Sequence, residues 1–234
     1  MPMKYAFHPG NIAHSSATEV TQTMEPAARS LGIELIPMKG ATSCGAGIIR
    51  QANDVLQITL NARNFAIAES MGVDIITPCA ATAGNLHEDL SRLKADPLLL
   101  AKTNEVLQRT SGISLKGDVN VRHILHVIVD EIGLDKVEDK LRNPMNFRIA
   151  GYYGPNIQQE GACGDDDVFD PNYLELLIDA LGGSPVEWES RTQSVGVPGL
   201  FSEEATVLRQ VAAAISDAKS EGAEMIVSAC TLSH

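Results

Sequence analysis

The sequence predicts an α/β fold of two duplicated domains, each a small parallel sheet with crossover helices. Three observations point there. Short apolar strands alternate with longer helical stretches in both halves, the order that a parallel sheet with crossovers requires. Ser43-Cys44-Gly45 recurs as Ser194-Val195-Gly196, and Cys79 recurs as Cys230, each 151 residues on. Within each half, 35 positions separate the middle of that tripeptide from the later cysteine. A spacing kept twice marks a repeated unit. The predicted domains are residues 1–145, with a helical extension, and residues 146–234.

Each element has a local reason. Residues 4–7 read as a strand ended by Pro9-Gly10. A helix follows over 16–31, with Ser16 and Glu19 spaced as a capping pair, and Gly32 closes it. Residues 33–36 alternate as a strand. Residues 51–71 carry apolar positions at Leu56, Leu60, Phe65 and Ala68, with Gly72 just beyond as a helix stop. Residues 73–76 form a buried strand that runs into Pro78-Cys79, where a helix opens and continues past Leu86 and Leu90. Two more helices are predicted over 98–110 and 120–141, the second holding His123, Leu125, Val127 and Ile128. Asn143-Pro144 then breaks the chain. The second unit is predicted as strand 148–153, helix 173–181, strand 186–188, helix 202–220 and strand 225–227. The first unit continues about 60 residues past the point equivalent to His234, so the second is expected to be truncated at its C-terminus.

The formal net charge of −12 argues against nucleic acid, whose phosphates need a basic face. It fits a subunit that meets a basic partner surface, and it equally serves solubility. No apolar run approaches the roughly 18 residues needed to span a bilayer. The start, Met1-Pro2-Met3-Lys4-Tyr5, lacks the layout of a signal peptide. The expected location is the cytoplasm, with a membrane reached only through a partner.

Four cysteines, Cys44, Cys79, Cys163 and Cys230, are spread widely with no export signal, so structural disulfides are not expected. Cys79 and Cys230 stand where a strand becomes a helix, a position that lowers a thiol pKa. The Cys44 loop carries Gly45 and Gly47, which let backbone approach a bulky group. A loop cysteine and a helix-start cysteine at one sheet edge make a pocket suited to soft metals or Fe–S clusters. Other readings stay open: Cys79 with Thr82 as a monothiol redox centre, Cys44 paired with Cys79, or buried thiols without chemistry. Cys163 reads as a loop thiol. Asp165 to Asp167 reads as a calcium ligand run or a solvated loop, and His123 with His126 as ligands or packing. No phosphate loop, dinucleotide glycine motif or nucleophile elbow is present.

The chain resembles the CCG-domain (cysteine-rich domain) family, which includes the B subunit of heterodisulfide reductase and the SdhE-type subunit of some succinate dehydrogenases and fumarate reductases. The resemblance rests on Pro9-Gly10, Ser43-Cys44-Gly45-Ala46-Gly47, Asn61-Ala62-Arg63, Tyr152-Tyr153-Gly154, Arg191-Thr192-Gln193, Gly222-Ala223 and Cys230-Thr231-Leu232-Ser233-His234. It implies an oxidoreductase complex whose CCG subunit holds a noncubane 4Fe–4S cluster or zinc through the cysteines of each half. It also implies partners among the Fe–S or flavoprotein subunits, or a cluster-competent paralogue.

This chain departs from the family's pattern at the ligands. Asn11, Ser43 and Thr82 in the first half, and Pro155, Ser194, Val195 and Ser233 in the second, stand where the family has cysteine. Cys44, Cys79 and Cys230 remain as relic ligands. Pro155 and Val195 offer no donor, and Cys44 with Cys79 and His8 or His14 is a poor basis for a four-coordinate metal. The expectation is therefore a cluster-deficient subunit with no bound cofactor, acting by structure and partner binding. The alternative is a thiol-disulfide or electron-transfer protein that uses Cys44 and Cys79, with one Fe–S or metal centre. Whether this chain is itself catalytic stays open.

Overall fold

The computed structural model describes residues 2–13, 16–158, 164–196 and 199–233, so His14, Cys163 and His234 lie outside the described residues. The chain opens with strand β1 (Met3–Phe7), helix α1 (Thr18–Ser30) and strand β2 (Ile33–Pro37). The two strands pair in parallel register from Met3 with Ile33 to Phe7 with Pro37. α1 starts two residues later than predicted. Ala17 precedes it and no side chain caps its first turn, so the Ser16 and Glu19 capping pair is not formed.

The predicted helix over 51–71 divides in two. A short α2 (Ile48–Ala52) stops at Asn53, whose extended backbone and side-chain oxygen cap α3 (Asp54–Met71) through the Leu56 N–H. An asparagine that accepts from its own downstream amide favours a new helix start over continuation. β3 (Ile75–Thr77) follows, then α4 (Ala80–Ala95) and α5 (Pro97–Ser111). Asp96 accepts from Leu98 and Leu99 at the start of α5.

The predicted helix over 120–141 is corrected at its front. Residues Val121–His123 form strand β4, in parallel register with β3 from Ile75 with Val121 to Thr77 with His123. Val121 and His123 are buried and Arg122 is exposed, a period of two that the helical reading hid. Helix α6 (Ile124–His126) follows, passes into π-helical winding (Val127–Ile132) and ends at Gly133; α7 (Leu134–Lys140) completes the segment. The first sheet is ordered β2-β1-β3-β4 and is parallel throughout.

A second, smaller parallel sheet follows. Its elements are β5 (Arg148–Tyr152), α8 (Tyr173–Ala180), β6 (Ser184–Val186), α9 (Glu204–Ser220) and β7 (Met225–Ser228), in strand order β6-β5-β7. The strand predicted over 186–188 starts and ends earlier. Trp188 has left it, donating its indole N–H to the Gly151 carbonyl at 2.9 Å. The chain is thus α/β with two parallel sheets and helices between the strands.

Helices cover each sheet with apolar side chains. Phe65, Ile75, Leu86 and Leu93 are almost fully buried in the core shared by α3, β3 and α4. Each such side chain contributes about 1.5–3 kcal/mol of burial. A separate buried cluster joins the two halves: Cys79, Ala80, Ala81 and Leu125 pack against Tyr153, Leu174, Ala229 and Cys230.

Candidate functional site where the two sheets meet

In an open parallel sheet, ligands bind beyond the carboxyl ends of the strands where the winding direction reverses. In the first sheet that point lies between β1 and β3, in the second between β5 and β7. The segment His8 to Asn11 leaves β1, and Pro78-Cys79 leaves β3. Tyr153 to Pro155 leave β5, and Ala229-Cys230 leave β7. The two reversal points face one another. The Ala229 carbonyl accepts from the Ala80 N–H at 3.0 Å and from His123 Nε2 at 2.9 Å. Cys79 and Cys230 meet with their sulfurs 4.0 Å apart, 0% and 3% exposed.

The first-half positions converge in one hydrogen-bonded chain. Ser43 Oγ accepts from the Gly45 N–H at 3.0 Å and donates to Asn11 Oδ1 at 2.7 Å. Asn11 Nδ2 donates to Cys44 Sγ at 3.2 Å, as does the Ala46 N–H at 3.4 Å. The Cys44 thiol donates to Thr82 Oγ1 at 3.4 Å, and Thr82 in turn hydrogen-bonds Cys79. Cys44 and Cys79 are therefore linked through Thr82, and the direct thiol partner of Cys79 is Cys230. A Cys44–Cys79 pair is not what the fold builds.

Charge on these thiols follows their surroundings. Cys79, in extended conformation, is the residue before the first turn of α4. Its pKa lies well below the ordinary thiol value, because Cys230 first, and then Thr231 and Thr82, hydrogen-bond its sulfur against the opposing effect of burial. The Cys230 thiol is pushed up by the neighbouring Cys79 sulfur and by burial. This corrects the expectation of a lowered pKa at both cysteines; Cys230 precedes a short 3-10 turn, Thr231–Ser233. Burial also raises Cys44.

The histidines are held by backbone. His8 Nε2 faces the Thr42 carbonyl at 3.0 Å and Nδ1 accepts from the Gly10 N–H at 3.2 Å. His123 repeats that geometry with the Ala229 carbonyl and with the Leu125 N–H at 3.2 Å. A carbonyl only accepts, so each ring is neutral with its proton on Nε2. Both nitrogens of His8 and of His123 are engaged by backbone groups. The His126 ring packs between His123, at 5.6 Å, and Tyr173, at 5.8 Å.

Among the described residues, the second-half positions form no comparable hydrogen-bonded chain. Ser194 Oγ accepts from Gly196 N–H at 3.1 Å within its own loop, the geometry that Ser43 and Gly45 show. Ser233 hydrogen-bonds Cys230, and Pro155 is exposed. Val195 and Ser233 line an apolar cavity of about 230 Å³ together with Tyr152, Trp188, Ile215 and Ile226. Asp165 to Asp167 fold as a turn: Asp166 accepts from Asp167, Asn172 and Tyr173 N–H groups, and Asp167 from Phe169 and Asp170.

Sequence reasoning missed the buried polar support beneath the Cys44 loop. Asp89 on α4 is fully buried and receives Asn61 Nδ2 at 2.6 Å, Arg50 Nη2 at 2.7 Å and Gln57 Nε2 at 3.4 Å. Asn61 Nδ2 also lies 3.2 Å from the Cys44 carbonyl, and Asn64 holds both the N–H and the carbonyl of Thr42. The available signal was the run of Gln57, Asn61 and Asn64 on one face of the helix.

Residues 5–86 match the family model described as the cysteine-rich domain, CCG. Over that stretch the chain is similar to the CCG-domain family. It is 28% identical over 215 residues to the B subunit of the ferredoxin/F(420)H(2)-dependent CoB-CoM heterodisulfide reductase of Methanosarcina acetivorans, covering 88% of this chain and 70% of that protein. It is 27% identical over 239 residues to the "8-methylmenaquinol:fumarate reductase membrane anchor subunit" of Wolinella succinogenes, covering 99% and 81%. A protein of Archaeoglobus profundus, named for its likeness to the B subunit of heterodisulfide reductase, is 26% identical over 236 residues, covering 98% and 79%. A crystal structure of a hypothetical protein from Helicobacter pylori shares the fold with a TM-score of 0.75 at 16% identity, covering all of this chain and 42% of that one. Among the described residues, no helix is long and apolar enough to cross a membrane.

The residues at the family's ligand positions do not fit an Fe–S cluster or zinc. Asn11, Ser43 and Thr82 spend their polar atoms on one another and on Cys44. Among the described residues no group of three or more His, Cys, Asp or Glu side chains is arranged to hold a metal ion. A cluster needs about four good ligands.

Proposed function

We propose that this chain is a heterodisulfide reductase B-like subunit of an electron-transfer complex, and that both its cluster positions have become structural. The observation that carries this reading is the chain Ser43–Asn11–Cys44–Thr82–Cys79, in which each replaced ligand satisfies its neighbour. Polar groups that saturate one another inside a fold stabilise a fixed shape and leave few lone pairs for a metal. The Ser43 turn recurs at Ser194, and the Thr77 Oγ contact to the Cys79 N–H recurs as Ser228 Oγ to the Cys230 N–H. Both recurrences support two copies of one ancestral unit, here residues 1–145 and 146–234.

The role this leaves is to hold partners. The relatives are named as parts of redox assemblies, so the partners would be an Fe–S or flavoprotein subunit or a cluster-bearing paralogue, met in the cytoplasm or at a membrane surface. Anaerobic purification followed by iron and sulfide determination and a visible spectrum tests it. Colourless protein with far less than one iron per chain is expected. Near-stoichiometric iron and sulfide with thiolate-to-iron absorption would overturn it.

A second reading, a thiol-based redox protein, is favoured by the contact of two buried sulfurs. The thiols would be Cys79 and Cys230, in place of Cys44 and Cys79.

A further inference from the structure

We propose that Cys79 and Cys230 form an oxidation site for small hydroperoxides, closing into a disulfide that ties the two halves of the chain together. The inference rests on the preceding reading in one respect: both thiols must be free of a cluster.

The sulfurs already touch at 4.0 Å. A disulfide needs about 2.05 Å, so closure takes a combined shift of about 2 Å, within reach of side-chain rotation and small backbone relaxation. Cys44 does not compete, because its thiol faces Thr82 Oγ1 and Asn11 Oδ1 and its sulfur accepts from Asn11 and Ala46.

Burial selects the oxidant. A protein disulfide or a peptide-sized disulfide cannot reach sulfurs that are 0% and 3% exposed. Hydrogen peroxide is scarcely larger than water. Gly10 lines a cavity of about 410 Å³ at the end of β1, and its backbone lies against Cys79. A Cβ on Gly10 would stand 2.9 Å from Cys79 Cβ and 3.5 Å from its sulfur. One residue without a side chain is what stands between cavity and thiol there.

The chemistry balances. The Cys79 sulfur, at the N-terminal end of α4, attacks one peroxide oxygen; the O–O bond breaks, and the other oxygen leaves and becomes water on taking up the thiol proton. Cys79 is then a sulfenic acid. The Cys230 sulfur attacks it, the S–S bond forms, the S–O bond breaks, and the hydroxyl leaves with the Cys230 proton as a second water. Two thiols lose two electrons and two protons, and one peroxide becomes two waters.

The test is intact-mass analysis and non-reducing peptide mapping of the full chain, with iron assayed on the same sample before hydrogen peroxide is added. The expected result is a loss of two hydrogens, a peptide link between Cys79 and Cys230, retention of that link in Cys44→Ser, and reversal by a thiol reductant. The oxidised form should also melt at higher temperature. A link through Cys44 or Cys163, sulfinic acid at Cys79 without a link, or no change at peroxide that fully oxidises a small reference thiol would each overturn it. The wild-type map decides this even if Cys79→Ser or Cys230→Ser fails to fold. Iron found at the start would sink the preceding reading, whereas iron-free protein without the link would sink this one alone.

Discussion

Asn61 reaches two groups with one amide nitrogen: the buried Asp89 carboxylate at 2.6 Å and the Cys44 carbonyl at 3.2 Å. The loop that carries Ser43 and Cys44 is therefore fixed from below by charge and hydrogen bonding. Burial raises the Asp89 pKa, opposed first by Asn61.

Asn61→Ala should strip Asp89 of its shortest donor and leave the Cys44 carbonyl without that partner. A loss of about 2–3 kcal/mol is expected in urea denaturation. Arg29→Ala, at an exposed ion pair on α1, should change stability by less than about 0.5 kcal/mol. Equal effects from the two would contradict the bracing role of Asn61.

His123 gives a pH dependence. Burial, and then the neighbouring His126, depress its pKa to about 4 from the ordinary 6.5. Between those values the unfolded chain binds a proton that the folded chain excludes, so this residue's contribution is intact above pH 6.5 and is lost as pH falls toward 4. The full loss is about 3 kcal/mol. The raised Asp89 and Glu175 carboxyls act in the opposite direction. The effect is therefore read as a difference: as pH falls from 6.5 toward 4, the stability of the wild type should drop relative to that of His123→Gln.

Gly10 and Gly72 form a matched pair, with φ of +95° and +70°. A methyl group at Gly10 would meet Cys79 Cβ at 2.9 Å and Thr231 Oγ1 at 3.0 Å, whereas at Gly72 nothing lies within 4 Å. Gly72→Ala should cost about 1 kcal/mol, the backbone penalty alone. Gly10→Ala should cost about 2–4 kcal/mol, because overpacking adds to it. Thermal denaturation of the two variants checks the order.

Strong chelators should leave the thermal midpoint unchanged, since the Ser43–Asn11–Cys44–Thr82 chain stabilises the loop without metal. A fall of several degrees on chelation would mean that a bound ion contributes to the fold.

Much of the fold was legible because periodicity and glycine stops are local. Gly72 does close α3, and residues 225–227 do form the last strand. The failures had physical causes. β4 is only three residues long and runs straight into α6, so helical periodicity downstream masked it. Asn53 interrupts a helix-like pattern by capping chemistry, a side-chain effect that hydrophobic spacing does not register. At the site, the repeat located Cys79 and Cys230 but placed them in separate pockets. Their meeting depends on how the two sheets face each other, which no spacing within one half encodes. Asp89 was illegible for a similar reason: an acid beside Glu88 in a helix reads as surface until its partners arrive from α2 and α3.

The shared carbonyl of Ala229 has a practical consequence for dissecting this molecule. It caps Ala80 and His123 of the first half, beside the apolar floor of Ala81 and Leu125. A fragment cut at residue 145 would keep every strand of the larger sheet yet uncover that floor and orphan two buried donors. Such a fragment should self-associate or be captured by chaperones during expression, and co-expression of residues 146–234 as a separate chain should rescue it.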